Sequence, residues 1–445
     1  MSRAVTPSSP FQIGDYRAFW AARLASTIAN TSFVVVIGLH VYDVARDGGM
    51  SIRDAAFWLG MVGLAQFLPL LLLTLVAGYI ADRVDRRWIV RASLLLELVC
   101  AAILSLLSWY DAISLLPLFV VAMALGVGRA FVGPALSAFA PNIVPPALLP
   151  SAIALNAIAW QVGAIAGPVA GGLFYAFDPA YAYLLSTALL ALSLVAFLFI
   201  GPIPRGNAGE AHPVQAVIDG LRYVRDNKVV LGAISLDLFV VLLGGATAML
   251  PVYARDILHV GAEGLGYLRA APAVGAAVTA LLLARRPLGG NAGVKMFVCV
   301  AIFGAATVVF GLSKVMWLSL ASLVVLGAAD MISVYVRNSL IQLHTPDAMR
   351  GRVSAVSGLF VSASNELGEF RSGTFANWMG PIESVAVGGV LAVVITGLCA
   401  WRFPELRRAD RLVLPPEKTI TEVGNKSFVD DGPPAMMPAM DDAQA

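Results

Sequence analysis

Apolar residues run along this chain in blocks long enough to cross a bilayer. Twelve such blocks occupy residues 16–41, 55–81, 88–108, 112–138, 150–175, 181–202, 229–254, 262–284, 294–312, 315–339, 352–378 and 382–402, separated by short polar or charged segments. A spanning helix needs about 20 predominantly apolar residues, so each block predicts one span. The pattern divides the chain into an N-terminal segment (1–15), a first bundle of six spans (16–202), a longer linker (203–228), a second bundle of six (229–402) and a charged, proline-rich tail (403–445) expected to be flexible. The first block is too long for the apolar core of a signal peptide, so it stays as the first span. In the linker, Val214, Val217, Ile218, Leu221 and Val224 recur at helical spacing. They predict an amphipathic helix, either lying on the membrane surface or serving as a connector.

The two sets of six repeat each other. A shift of 201 residues lays Gly163, Gly167, Pro168, Gly171 and Gly172 of the fifth span on Ser364, Gly368, Glu369, Ser372 and Gly373 of the eleventh. Small residues keep the same helical offsets in both copies. The same shift lays Arg129 on Asp330. Related six-helix halves with a solute path between them are a common plan for secondary transporters. The expected fold is an all-α membrane protein of twelve transmembrane helices in two pseudo-symmetric six-helix bundles.

Composition agrees. Only 13% of the 445 residues are charged and 59% are hydrophobic, against about 25% charged in soluble domains. A soluble enzyme, a disordered chain and a secreted disulfide scaffold are excluded. The net charge of +2 gives no reason to expect a nucleic-acid partner. Cys100, Cys299 and Cys399 are far apart inside apolar blocks, so they read as packing residues. Lys and Arg set the orientation. Of 30 such residues, only Arg46, Arg53, Arg255 and Lys314 fall on the side opposite the termini, and most of the rest gather on the termini side. Both termini are therefore expected in the cytoplasm of a multi-pass membrane protein.

Ten charges lie well inside the blocks: Arg23, Arg129, Arg269, Arg337 and Arg371 against Glu97, Asp237, Asp330, Glu366 and Glu369. A charge at mid-bilayer costs about 3 kcal/mol on an insertion scale unless it faces protein or water. The balance implies pairing inside the bundle. Glu366 and Glu369 are three residues apart and share a helix face. Two adjacent carboxylates repel, so one can hold a proton, as a coupling site requires. Arg371 is close enough in sequence to counter one of them. Asp237, about 12 Å into the seventh span, is a further candidate to titrate. A structural ion pair is the alternative for each acid. Asn30, Asn156, Gln161 and Asn365, with nearby Ser and Thr, are candidates to line a cavity or to bridge helices as polar contacts. His40, beside Asp43 at the outer end of the first span, reads as an external pH sensor or a satisfied interface histidine.

The loop GYIADRVDRR (Gly78–Arg87) resembles the signature loop of the major facilitator superfamily, G-x-x-x-D-R-x-G-R-R/K. Gly78, Asp82, Arg83, Arg86 and Arg87 match, and Asp85 stands where the family has glycine. The resemblance implies a cytoplasmic latch, whereas anchoring of a short basic loop is the plainer reading. GAIAGPVAGG (Gly163–Gly172) is similar to the G-x-x-x-G-P-x-x-G-G motif of proton-coupled exporters in that superfamily, with every fixed position matched. Plain small-residue helix packing would produce the same face. Arg129 with Gly133 resembles a third motif, R-x-x-x-G, which implies a role in proton transfer. The stretches 236–258 and 345–373 look like the branch containing the bacterial enterobactin (siderophore) exporter. The resemblance implies a monomeric secondary active transporter that exports a small organic solute, a siderophore or drug-like compound, by alternating access, driven by protons. A proton-coupled importer on the same fold and a non-transporting membrane sensor are the alternatives. Without G-x-x-x-x-G-K-S/T, HExxH or GxSxG in the sequence, no ATP drive, bound cofactor, metal or catalytic residue is expected. The Gly351–Arg352 segment is expected to meet the Asp82 loop.

Overall fold

The computed structural model describes residues 9–137, 139–201, 213–286 and 288–409. The tail beyond 409 and the first part of the linker lie outside them. The described residues form helices and no strands. In the first half these are α1 (Gly14–Asp47), α2 (Ile52–Arg83), α3 (Arg86–Trp109), α4 (Leu115–Ser137), α5 (Leu149–Phe177) and α6 (Pro179–Leu198). The linker contributes α7 (Pro213–Asp226). The second half holds α8 (Lys228–Gly244), α9 (Gly261–Arg285), α10 (Ala292–Leu312), α11 (Met316–Leu343), α12 (Asp347–Met379) and α13 (Pro381–Arg402). Polar side chains start several of them. Ser51, Asp85, Asp178 and Asn227 each accept a hydrogen bond from a backbone N–H of the following first turn.

Eleven of these helices are long and apolar enough to cross a membrane. The exceptions are the 14-residue linker helix α7 and α12, whose 33 residues include Arg350, Arg352, Glu366, Glu369 and Arg371. At 1.5 Å per residue α12 is about 50 Å long, and it packs lengthwise against the spanning α2. Exposed tryptophans mark the helix ends: Trp88 and Trp109 on α3, Trp317 on α11, Trp378 on α12 and Trp401 on α13. Such ends sit at the two membrane–water interfaces.

Five helix pairings recur in both halves and correspond one to one. In the first half α1 packs on α5 and α6, α2 on α4, and α3 on α4 and α6. In the second, α8 packs on α12 and α13, α9 on α11, and α10 on α11 and α13. The halves meet along α2·α12 and α5·α9. Glycines allow these approaches. A Cβ on Gly373 would press on Gly60 of α2, and one on Gly172 would press on Gly266 of α9. Gly172 and Gly373 are the pair related by the 201-residue shift. Gly126 lies against the Gln66 backbone and Gly327 against the Pro272 backbone, again 201 apart.

The seventh span is not the continuous helix that residues 229–254 predict. Helix α8 stops at Gly244, and a 3-10 turn (Thr247–Met249), a short α-turn (Leu250–Val252) and a π-turn (Tyr253–Ile257) follow. Two successive glycines weaken the helix, and Pro251 has no N–H to continue it. The carbonyls released find side-chain donors. Ser372 Oγ donates to Gly245 O at 2.8 Å and Arg269 Nη1 to Thr247 O at 2.9 Å.

The amphipathic helix docks as a connector. Val217, Tyr223 and Val224 pack with Ile234, Ile341, Val353 and Val356 of the second half. Ile218 and Leu221 stay exposed, and the side chain of Val214 lies outside the described residues. Arg352 meets Asp219 of α7 at 3.1 Å.

Candidate functional site: a central cavity between the halves

A cavity of about 720 Å³ lies between the two halves, within the range of small-molecule sites. Its first-half wall carries Arg23, Asn30, Gln66, Glu97, Arg129, Asn156 and Trp160. The second-half wall carries Thr247, Arg269, Asn365, Glu366 and Glu369. Phe19 and Val90, near the starts of α1 and α3, also line it, so it extends toward the face holding the chain termini. Gln161, expected to line the cavity, is a bridge instead: its Nε2 donates to Ala273 O of α9 at 2.6 Å.

The face away from the termini is closed. Arg255 pairs with Asp43 through Nε at 2.9 Å and through Nη2. Tyr175 Oη also donates to Asp43, at 2.8 Å. Tyr42 Oη donates to Asp256 at 2.5 Å, and Arg46 lies 3.4 Å from the same carboxylate. Asn377 Nδ2 reaches Asp54 at 3.0 Å. Apart from the Tyr175 contact, each bond joins one half to the other. The charge order is crossed, acid then base on α1 (Asp43, Arg46) and base then acid on the π-turn (Arg255, Asp256). Sequence reasoning missed this seam, although its four charges were visible at the outer ends of the first and seventh spans. His40 is a satisfied interface histidine, with Nδ1 3.0 Å from Tyr183 Oη.

At the cavity floor, α4 of one half meets α12 of the other. Arg129 Nη1 donates to Glu366 at 2.6 Å and to Gln66 Oε1 at 3.1 Å. Arg269 lies 3.8 Å from Glu369. The two glutamates share a face, as their spacing requires. Arg371 does not counter them. Five residues past Glu366 and two past Glu369, it projects from another side of α12. It donates to Ser372 Oγ at 2.9 Å and lies over the Phe375 ring at 5.1 Å. A second space of about 30 Å³ borders Glu369 and Arg269 and is lined by Val35, Gly38 and Leu59. Val35 and Gly38 lie further along α1 toward the closed face, and Leu59 lies in the first part of α2 on the same side. Glu369 thus touches a solute-sized cavity on one side and a water-sized space on the other.

Asp237 and Asp330 are elsewhere. Asp237 pairs with Arg337 inside the second half. Asp330 joins Asp237 and Ser333 around a space of about 10 Å³, walled by Val240, Val300 and Phe303. Glu97 accepts from Asn30 Nδ2 at 3.1 Å.

In the signature loop, Arg87 bonds within the first half, to Asp85 and to Ile200 O at 3.4 Å. Asp85, the departure from the family pattern, caps α3 and pairs with Arg87 at 2.6 Å. Arg91 ties the same turn to Phe197 O at 3.0 Å. Arg83 is exposed, Arg86 is half-buried, and the side chain of Asp82 lies outside the described residues. A Cβ on Gly78 would meet none of the described residues within 4 Å. The fifth-span glycines do take close contacts. Gly163, Gly167 and Gly171 face Thr27, Thr31 and Ser32 of α1, and Gly172 faces α9 of the other half.

The sequence profile of a family described as transmembrane secretion effector matches residues 5–428. An enterobactin exporter EntS from Citrobacter koseri is 26% identical over 385 residues, covering 84% of this chain and 91% of that one. An Escherichia coli EntS is 24% identical over 399 residues, covering 88% and 94%. Among solved structures, a bacterial homologue of the human lysosomal transporter Spinster, in an inward-facing and unoccupied conformation, superposes with a TM-score of 0.68. It is 15% identical and covers 88% of this chain and 98% of that one. A D-xylose–proton symporter superposes at 0.66, with 14% identity and coverage of 87% and 97%. The structural likenesses concern the fold.

Proposed function

The chain belongs to the transmembrane secretion effector family of major facilitator transporters, and from that membership we propose that it exports a small organic solute in exchange for protons. The termini face is the cytoplasmic side, as the Lys and Arg distribution indicates, and the conformation is open to the cytoplasm. The solute, a siderophore or a drug-like compound, enters the central cavity from that side. The curated relatives named enterobactin exporters support a siderophore. The chain works as a monomer, without a bound cofactor or a catalytic residue.

One observation carries the proton coupling: a single face of α12 presents Glu366 to Arg129 of the other half and Glu369 to Arg269. Protonating Glu366 removes its attraction for Arg129, which ties the halves together at the cavity floor. Protonating Glu369 frees Arg269, which also holds the carbonyl of Thr247 in the broken seventh span. That segment runs on to Arg255 and Asp256 in the far-face seam. The water-sized space beside Glu369 gives protons an approach from that side. Asp237, Asp330 and Arg337 form a separate intramembrane cluster that holds α8 to α11.

The test is transport in inside-out vesicles with enterobactin, and in parallel ethidium, as probes and an acid interior as drive. Glu366→Gln and Glu369→Gln are expected to abolish gradient-driven uptake while the protein stays in the membrane at normal amount. Undiminished uptake in both variants overturns the assignment. Uptake driven by the opposite gradient identifies an importer.

A further inference from the structure

The intramembrane arginines divide into two kinds. Arg129, Arg269 and Arg337 each have a carboxylate partner. Arg23 and Arg371 have none among the described residues and lie over aromatic rings instead. Arg371 is away from the cavity and donates to Ser372. Arg23 lines the cavity, and among the described residues its side chain has no hydrogen-bond partner; its Nε is buried and unpartnered there. An arginine fork takes a carboxylate or similar oxyanion through two parallel bonds, and here the fork is unspent.

Its surroundings are those of a recognition site. Arg23 lies 5.4 Å from the centroid of Trp160, which fixes the plane of the guanidinium. Trp160 is half-exposed and lines the cavity. One turn before it on α5, Asn156 also lines the cavity, and its Oδ1 is buried without a partner. Phe19, one turn before Arg23 on α1, completes the wall. Arg23 lies nine residues from the start of α1, whereas Glu366 and Glu369 are in the second half of α12. The unpaired cation is therefore nearer the open mouth than Glu366 and Glu369.

We propose that Arg23, with Asn156 and Trp160, forms a subsite for an organic anion whose oxyanion is borne next to a planar ring. The proposal rests on the reading of the central cavity as the solute site, and it adds the solute's charge and shape. The oxyanion takes the paired Nη1 and Nη2 donors of the Arg23 fork, the Asn156 amide engages a neighbouring polar group, and the ring lies along the exposed face of Trp160.

The experiment measures equilibrium binding of two near-isosteric probes, 1-naphthoate and 1-naphthylmethanol, to the full chain in nanodiscs. The wild-type protein is expected to bind the acid about tenfold or more tighter than the alcohol, the worth of a charge-assisted hydrogen bond. Arg23→Gln is expected to erase that preference, with a size-exclusion profile matching the wild type's, which shows that the variant is folded. Arg23→Lys is expected to retain part of it, and Trp160→Leu to weaken both probes alike. Equal binding of acid and alcohol by the wild type overturns the proposal, as does an acid preference that survives in Arg23→Gln. A loss of cavity accessibility in Arg23→Gln with an unchanged acid preference also overturns it and marks Arg23 as a gate residue. Failure of the wild type to bind either probe removes the cavity reading itself.

Discussion

The two halves of the molecule use the same packing and different charges. Gly126 and Gly327 occupy equivalent places and each admits a neighbouring backbone, as Gly172 and Gly373 do at the seam. Arg129 and Asp330 are also equivalent, yet they serve opposite ends. Arg129 leaves its own half and reaches Glu366 across the cavity at 2.6 Å. Asp330 stays inside its half beside the Asp237–Arg337 pair. Helix packing restricts residue size at many positions and preserves the repeat. Charge is restricted only where a partner or a cavity exists, so each half has acquired its own set.

The largest effect that tests this contrast is on stability. Asp237 and Arg337 are both nearly buried, so Arg337→Gln strands a carboxylate in the bilayer interior and should cost about 3–5 kcal/mol. Most of the folded protein should be lost in size-exclusion profiles, and Asp237→Asn in the same chain should restore much of it. Arg129→Gln should lower the folded yield much less, because the stranded Glu366 borders the cavity and can take a proton there, and should reduce coupled export about 10–100-fold. If both variants misfold alike, the two halves do not differ as described.

The next effect tests the shared part. Gly172→Ala and Gly373→Ala each force a methyl group into a backbone contact of the closed far-face seam, at a cost of about 1–3 kcal/mol to this conformation. Both should slow maleimide labelling of a cysteine placed at Ala164 in the cavity wall. A response from only one breaks the equivalence. The smallest effect is at the termini face, where Lys228 and Glu405 pair at 3.3 Å in the open. Lys228→Gln should leave the melting temperature within error. The Glu405 carboxyl is held below the ordinary glutamate range by its own backbone N–H and by Lys228. Its small contribution is complete above that range and is lost only as pH falls through the lowered value.

Much of this architecture is legible in the sequence because bilayer thickness and helix pitch leave few alternatives. The apolar blocks give the spans, and the glycine offsets give the helix faces that touch. The shared face of Glu366 and Glu369 follows from a three-residue spacing. The same angular reasoning applied to Arg371 excludes it as their counter-ion, since offsets of two and five residues turn it to another side. The true partner of Glu366, Arg129, is 237 residues away, and no local spacing encodes such a contact. The break after Gly244 was signalled by Gly244–Gly245 and Pro251, but high apolarity masked it. The far-face seam was hidden for a different reason. Its charges lie at helix ends, where loop residues and gate residues have the same composition.

The charged helix α12 also constrains how the chain is made. Glu366, Glu369 and Arg371 together carry roughly 9 kcal/mol of insertion penalty at mid-bilayer, more than the apolar residues of α12 offset. It cannot settle in the membrane as a lone segment leaving the ribosome-bound channel. Its entry has to wait for Arg129 and Arg269, which are synthesised earlier, so the first half acts as a template for completing the second. An insertion reporter fused after α12 alone should therefore read as untranslocated, and should switch when α1–α11 precede it.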